Sequence, residues 1–196
     1  MILLIYFYID RTRLPSREST ADRPMKTKII SCLFTLILCQ SASAAVNHIN
    51  DHGFALENSF STHAKPHQVW QALTQSVGQW WPADHTWFGD ASKLSIDPVA
   101  GGCFCEIDGD RQAAHMRIGY VAPNKLLRML GGLGPLQGMG LYGALDWKIE
   151  ATFSGSKVNL TYNVGGYAKD GFAQLAPIVD RVQHQQLKAL IDFLEK

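Results

Sequence analysis

Three residues in the middle of the chain have side chains that could carry out acid–base chemistry: Glu106, His115 and Tyr120. Glu106 lies in the predicted strand 103–107, and the other two lie in the next predicted strand, 113–121. A carboxylate that points from a strand into an apolar cavity could orient a ligand or move a proton. The same carboxylate could instead point into solvent, where most glutamates lie. These residues are therefore the catalytic candidates, and their orientation stays open.

Large apolar side chains could line a cavity around Glu106. Met116 and Tyr120 share one face of their predicted strand, and Trp147 and Tyr162 each alternate with polar residues in theirs. Ordinary core packing would give the same pattern. We predict that Glu106 is the main polar group of a mainly apolar cavity. The predicted lining is Trp81, Phe88, Met116, Tyr120, Trp147, Tyr162 and Val179.

Cys103 and Cys105 are separated by a single residue within a predicted strand. Alternate side chains of a regular strand share a face but lack the geometry of an unstrained disulfide. The spacing therefore predicts two small buried thiols. A nucleophilic role beside His115 is the alternative, although the sequence shows nothing that would activate either thiol.

Other motifs do not support a cofactor, a metal or a nucleic acid. The segment 138–143 fits the pattern GxGxxG, but a predicted strand follows it where a nucleotide-binding loop needs a helix. We interpret it as a flexible loop that could cover a pocket. The pairs His63 and His67, and His48 and His52, have no evident third ligand, so no metal site is predicted. A formal net charge of +1 argues against nucleic-acid binding.

The elements that would position these residues are strands followed by one long helix. Period-two alternation with a polar outer face predicts a curved antiparallel sheet of about seven strands. Val69, Trp70 and Leu73 indicate a short helix at 66–74, and an apolar stripe indicates a helix at 172–195. That order predicts an α+β fold in which the long helix covers the sheet. The remaining predicted strands are 54–61, 93–98, 125–130, 144–153 and 157–164.

The N-terminal region has the pattern of an export signal. Lysines after Met25, an apolar run at 29–38 and the small residues 42–44 are typical of a secretory signal peptide cleaved after Ala44. We interpret residues 1–24 as an over-extended start or a longer leader, and residues 45–52 as a flexible tail. One domain at 53–196 follows. These features predict a periplasmic or secreted protein with no stable membrane anchor after processing.

Five segments, 65–70, 80–82, 97–106, 119–126 and 130–147, follow one another in the element order just described. These segments and that order resemble the START-like (SRPBCC) superfamily, whose helix-grip fold wraps a curved sheet around a C-terminal helix. The nearest resemblance is to secreted members of the chaperone-ATPase-activator-homologue and polyketide cyclase families. The resemblance covers about residues 54–196, nearly the whole chain after the predicted signal peptide.

Two functions remain open at this point. The chain could be an exported binding or carrier protein that holds a small hydrophobic molecule between the sheet and the long helix. Alternatively, Glu106 with Tyr120 or His115 could catalyse a cyclisation, dehydration or hydrolysis in the same cavity. The carrier is favoured because no complete pair of catalytic groups is evident. We expect a monomer or a weak dimer.

Overall fold

The computed structural model describes residues 44–196, which form eight strands and four helices. Short 3-10 turns lie at Ala83–His85 and Ala91–Lys93. The helices are α1 Pro66–Gln75, α2 Val77–Trp80, α3 Pro135–Gly138 and α4 Leu175–Leu194. The strands are β1 Ala44–Asn50, β2 Gly53–Thr62, β3 Leu94–Ile96, β4 Cys103–Asp108, β5 Arg111–Ala122, β6 Leu126–Gly131, β7 Tyr142–Thr152 and β8 Gly155–Gly165.

The eight strands form one antiparallel sheet in the order β1-β2-β8-β7-β6-β5-β4-β3. All seven predicted strands are present, and the α+β class with a long C-terminal helix is confirmed. The predicted helix 172–195 is observed as α4, three residues shorter at its start. Within residues 44–196, no helix is long and apolar enough to cross a membrane.

The eighth strand lies where the sequence predicted a flexible tail at 45–52. Ala44–Asn50 pairs along the edge of β2, with Val46 opposite Leu56 and Ile49 opposite Phe54. The side chains from Asn47 to Asn50 are exposed, so this edge strand lacks the apolar alternation by which the others were found. Its place in the sheet comes from backbone pairing, which side-chain patterning does not reveal.

Helix α4 packs along the end of the sheet formed by β1 and β2. Its contact with β2 includes a polar cluster of Asn58, Asp180 and His184, which we call the anchored flank. The Asn58 amide donates to Asp180 Oδ1 at 2.8 Å, and its carbonyl oxygen lies 3.1 Å from His184 Nδ1. At the end of the helix, Glu195 accepts a hydrogen bond from the backbone N–H of His63. These contacts fix α4 against one edge of the sheet.

Strand β5 contains two additional residues relative to its neighbours. On β4, Phe104 pairs with Met116 and Cys105 pairs with Ala114, so His115 between them has no partner. Gly119 likewise has no partner on β6. A bulge of this kind bends the strand and changes which face the next side chain occupies. The two bulges therefore decide where the acid–base candidates of β5 point.

Candidate functional site

Glu106 on β4 is completely buried and accepts three hydrogen bonds. The backbone N–H groups of Trp87 and Phe88 donate to its two oxygens at 2.8 Å each. The imidazole Nε2 of His115 lies 3.0 Å from Oε2. A carboxylate is an acceptor on both oxygens, so it satisfies all three groups at once. Residues 81–88, which follow α2 and include Trp87 and Phe88, are called the aromatic loop here. Glu106 thereby ties the aromatic loop to the centre of the sheet.

His115 is buried because of the first β5 bulge. Regular alternation placed it opposite Met116 on the outer face, but at the bulge both side chains turn inward, and His115 is 4% exposed. Its ring lies 5.1 Å from the Phe104 ring. Burial lowers the pKa of His115 below its ordinary value of 6.5, against the opposing pull of Glu106. The ring is therefore neutral at neutral pH, and the proton on Nε2 is the one shared with Glu106.

An apolar recess of about 430 Å³ opens between α4, the aromatic loop and the segment that follows β6; we call it the α4 cleft. Helix α4 packs on β1 and β2, and its residues Leu175, Ile178, Val179 and Val182 border the recess. Asp84 is the only lysine, arginine, aspartate or glutamate among its lining residues. Its apolar walls are Trp87, Leu133, Pro135, Leu136, Tyr162, Leu175, Ile178, Val179 and Val182.

Unpartnered polar atoms concentrate in this cleft. Among the described residues, four buried side-chain nitrogen or oxygen atoms have no hydrogen-bond partner. Three belong to residues that line the α4 cleft: His85 Nδ1, His115 Nδ1 and Gln183 Oε1. The fourth is Asn159 Oδ1 on β8. Buried polar atoms are almost always paired in folded proteins. Three unpartnered atoms around one recess therefore indicate a binding site for a molecule with polar groups.

Gln183 and His85 were missed by the sequence analysis. The polarity of Gln183 suggested a solvent-facing position on α4, yet only 2% of it is exposed. Its spacing from Val179, Leu187 and Leu190 matches one helical face, which was the available signal. His85 lies in a 3-10 turn whose conformation follows from no periodic pattern.

The hydroxyl of Tyr162 is used within the fold. It donates to the carbonyl oxygen of Gly131 at 2.9 Å and accepts from the backbone N–H of Leu133 at 3.0 Å. Burial raises the pKa of Tyr162 to about 12. Its ring lines the cleft, but its hydroxyl holds the segment after β6 in place and is not free to exchange a proton.

The predicted cavity residues separate into two groups. Tyr162 and Val179 line the α4 cleft. Trp81, Met116 and Trp147 are buried elsewhere in the core and do not line it. The Trp81 ring packs on Phe104 at 5.1 Å, as expected for plain core. Glu106 lies one hydrogen bond behind the cleft wall, and His115 is the group that reaches the wall.

Tyr120 and Phe88 are not at the predicted place. Tyr120 is 51% exposed on the outer face of the sheet, because the bulge at Gly119 reverses the alternation on which its inward placement rested. This correction removes Tyr120 as a partner of Glu106. Phe88 is half-buried, and its ring lies under the guanidinium of Arg111 at 4.7 Å. Only its backbone N–H contacts Glu106.

Cys103 and Cys105 form a disulfide, so the prediction of free thiols is wrong. Their Cα atoms are 5.4 Å apart, within the usual range for a disulfide. The regular strand assumed from the sequence is not what forms here, since β4 runs beside the bulge at His115, which bends the ladder. Both residues lie on the outer face of β4, opposite to Phe104 and Glu106. A nucleophilic role for either cysteine has no basis in this state.

The glycine-rich segment 138–143 runs from the end of α3 into β7, without the helix that a nucleotide loop needs. Residues just before it, from Leu133 to Leu136, border the α4 cleft. Over residues 44–196, no group of three or more histidine, cysteine, aspartate or glutamate side chains is arranged to hold a metal ion.

Several solved structures have an architecture similar to that of this chain. The protein MLL2253 from Mesorhizobium loti has a TM-score of 0.52 at 17% identity, covering 72% of this chain and 96% of its own. CalU16 from Micromonospora echinospora has a TM-score of 0.51 at 15% identity, covering 79% and 84%. The Aha1 dimer from Colwellia psychrerythraea has a TM-score of 0.50 at 18% identity, covering 72% and 96%. These likenesses show that the chain shares the fold of these proteins, the helix-grip fold expected from the sequence.

No protein-family model matches the sequence, and no curated protein matches it. At identities of 15–18%, structural likeness of this kind establishes the helix-grip fold and leaves function to the site itself. Helix-grip architecture is compatible with a ligand-binding or a cyclase-like domain, and the residues of the α4 cleft must distinguish between them.

Proposed function

We propose that this helix-grip protein binds a small, mainly hydrophobic molecule in the α4 cleft and acts as an exported binding or carrier protein. The observation that carries the proposal is the combination of apolar walls, a volume of about 430 Å³ and unpartnered polar atoms in one recess. Small-molecule sites typically combine an apolar lining with a few convergent polar groups. Burial of apolar ligand surface would contribute roughly 25 cal/mol per Å².

Native mass spectrometry of the protein purified from an exporting host tests this proposal. We expect a co-purifying small molecule that is released on denaturation. Val179→Phe would place a ring in the cleft and should abolish the bound mass. Gln185→Phe is the matched control, because Gln185 lies on the exposed side of the same helix. Equal ligand occupancy in both variants would contradict the assignment of the α4 cleft.

An enzyme that uses the same cleft is the second candidate, and one observation favours it. The Glu106–His115 pair holds a neutral imidazole with one nitrogen bonded to a carboxylate and the other, Nδ1, unpartnered at the cleft wall. An imidazole oriented in this way can accept a proton from a bound molecule as a general base. Cyclisation, dehydration or hydrolysis would each use such a base.

Replacing His115 separates the two candidates better than replacing Glu106, because Glu106 also holds the aromatic loop. The co-purified molecule is incubated with wild type and with His115→Gln, and its mass and chromatographic mobility are followed. A carrier returns the molecule unchanged in both cases. An enzyme converts it only with wild type. Conversion at equal rates in both would exclude His115 as the base.

The exported location is also a proposal, supported by the signal-like sequence at 25–44 and by the Cys103–Cys105 disulfide. Disulfides persist in oxidising compartments such as the periplasm and are rare in the cytosol. Residues 1–43, including the proposed leader at 1–24, lie outside the described part of the chain. A fusion of residues 25–44 to a reporter should carry it out of the cytoplasm, and mature protein should begin near Ala45. Retention of the reporter in the cytoplasm would contradict export.

We further propose that the protein is a monomer or a weak dimer. The Colwellia psychrerythraea relative in fold was solved as a dimer. Light scattering coupled to size-exclusion chromatography over a concentration series would measure the mass directly. A stable higher oligomer at the lowest concentration would contradict this expectation.

A further inference from the structure

The polarity of the unpartnered atoms restricts what the α4 cleft can bind. Gln183 donates its amide N–H to Gln186 Oε1 at 3.0 Å, which leaves the Gln183 carbonyl oxygen as an acceptor without a donor. Both glutamines are 2% exposed, and that oxygen has no hydrogen-bond partner within the described part of the chain. A buried acceptor without a donor costs about 1–3 kcal/mol, which a suitable ligand group would recover on binding.

His115 presents an acceptor of the same kind. Its Nε2 lies 3.0 Å from Glu106 Oε2, and a carboxylate that already accepts two backbone N–H groups requires a donor there. The proton of the neutral ring therefore resides on Nε2, and Nδ1 has a free lone pair. Only 3% of the side chain is exposed, and Nδ1 has no partner.

The charges around the cleft argue against an anionic ligand. No lysine or arginine is among the residues that line it, and Asp84 is the only carboxylate there. A carboxylate or phosphate on the ligand would meet two acceptors and a negative charge, with no cation to offset its desolvation. A neutral donor group, by contrast, would pair with an acceptor in surroundings that are otherwise apolar.

We infer that the α4 cleft selects a neutral ligand whose apolar body carries at least one hydroxyl or N–H donor, bonded to His115 Nδ1 or Gln183 Oε1. This inference rests on the proposed function and adds the chemical class of the ligand to it. Sites built to pair with a hydroxyl reject analogues that lack it, because their own polar groups are then left unsatisfied. Selectivity for the donor follows from the fixed acceptors, and affinity follows from the apolar walls.

Three probes with the same ring system test the inference: naphthol, its methyl ether and naphthoate. They share a planar apolar body, but only naphthol is a neutral hydrogen-bond donor at pH 7.5. Titration calorimetry on the wild-type protein should give an affinity for naphthol at least about tenfold higher than for either analogue, as one satisfied acceptor predicts. Equal or tighter binding of the ether or of naphthoate would overturn the inference and leave the cleft as the binding site.

Three variants locate the acceptor. The double variant Gln183→Leu with Gln186→Leu, and the single variant His115→Phe, each leave the cleft with one unpartnered acceptor fewer. At least one of them should lower naphthol affinity fivefold or more while leaving that for the ether within twofold. Gln185→Leu, on the exposed side of α4, should leave all three affinities unchanged. Thermal melts verify that each variant is folded. If naphthol affinity survives in both acceptor variants, the inference is wrong. If no probe binds to folded wild type, the proposed function fails together with it.

Discussion

Helix α4 contacts β2 along one flank and borders the α4 cleft along the other, and both flanks carry amide and imidazole side chains. On the anchored flank, both polar atoms of the Asn58 amide are paired, with Asp180 and with His184. The other side, where α4 borders the α4 cleft, is called the cleft flank. There, His85, His115 and Gln183 each have a buried atom without a partner. The same residue types thus serve stability on one side of the helix and are available to a ligand on the other.

Buried polar groups without a partner can locate the function of a protein whose fold is shared by many others. Packing of α4 on β1 and β2 needs every buried polar group to be satisfied, since an unsatisfied one lowers stability. A group that remains unsatisfied has to be explained by something outside the chain. The contrast between the flanks predicts a graded set of mutational effects, which the following experiments measure.

The largest effect is expected at Glu106, which supports the back of the cleft. Glu106→Ala leaves the backbone N–H groups of Trp87 and Phe88 and the Nε2 of His115 without their acceptor. Urea unfolding should show a loss of about 3–5 kcal/mol. Glu57→Ala is the control, because Glu57 is exposed on β2 and should change stability by under about 0.5 kcal/mol. A loss below about 1 kcal/mol at Glu106 would mean that the loop is held by other contacts.

The anchored flank should respond next most strongly. Asn58→Ala removes both of its hydrogen bonds and leaves Asp180 and His184 unpaired. We expect a loss of about 2 kcal/mol in the same unfolding experiment. Ser59→Ala, at the neighbouring position of β2, should have a much smaller effect. If the two variants are equally stable, the anchored flank does not hold α4 and the comparison fails.

The fold could be predicted from the sequence more completely than the site. Seven strands, α1 and α4 were predictable, because each is governed by a local period of apolar residues. The edge strand β1 was not, since its exposed side chains carry no period. For the site, Tyr162 and Val179 line the α4 cleft, whereas Tyr120 lies on the outer face of the sheet. Gly119 has no partner on β6, and this extra residue turns the next side chain, that of Tyr120, to the opposite face of the sheet. A bulge leaves no periodic signal in the sequence.

The polar residues of the cleft were harder to predict than its apolar walls. His115 becomes buried only through a bulge, and Gln183 is polar on a helix face where its neighbours are apolar. In each case the local sequence pattern predicts an exposed side chain, but tertiary packing buries it. Disagreement of this kind between local pattern and burial is itself typical of functional sites.

The disulfide on the outer face of β4 should have an intermediate effect. It closes a loop of only three residues, for which chain-entropy arguments give about 1.5 kcal/mol. The double variant Cys103→Ala and Cys105→Ala should lose that amount, and a reducing agent should destabilise wild type but not the variant. An effect of reduction on the variant itself would point to a cause other than the disulfide.

The pH dependence of stability should reflect the buried imidazole of the cleft flank. Burial lowers the pKa of His115 in the folded state, so the unfolded chain binds its proton more readily below about pH 6.5. The stabilising contribution is therefore complete above that pH and is lost as the pH falls towards the folded-state value. One group adds a slope of at most about 1.4 kcal/mol per pH unit. His115→Gln should remove this part of the slope; an unchanged profile would mean that other histidines cause it.

The smallest effect is expected at Gln183, and it is the sharpest test of the comparison. Gln183→Leu removes an oxygen that has no partner, and it leaves Gln186 Oε1 without the donor that Gln183 supplied. One unpartnered acceptor thus replaces another, while added apolar surface is buried, so stability should change by under about 0.5 kcal/mol or rise slightly. Asn58→Ala, a loss of the same amide on the other flank, should cost several times more. If both amides cost the same, Gln183 Oε1 is satisfied within the ligand-free protein, and the cleft flank then offers one acceptor fewer than the structure indicates.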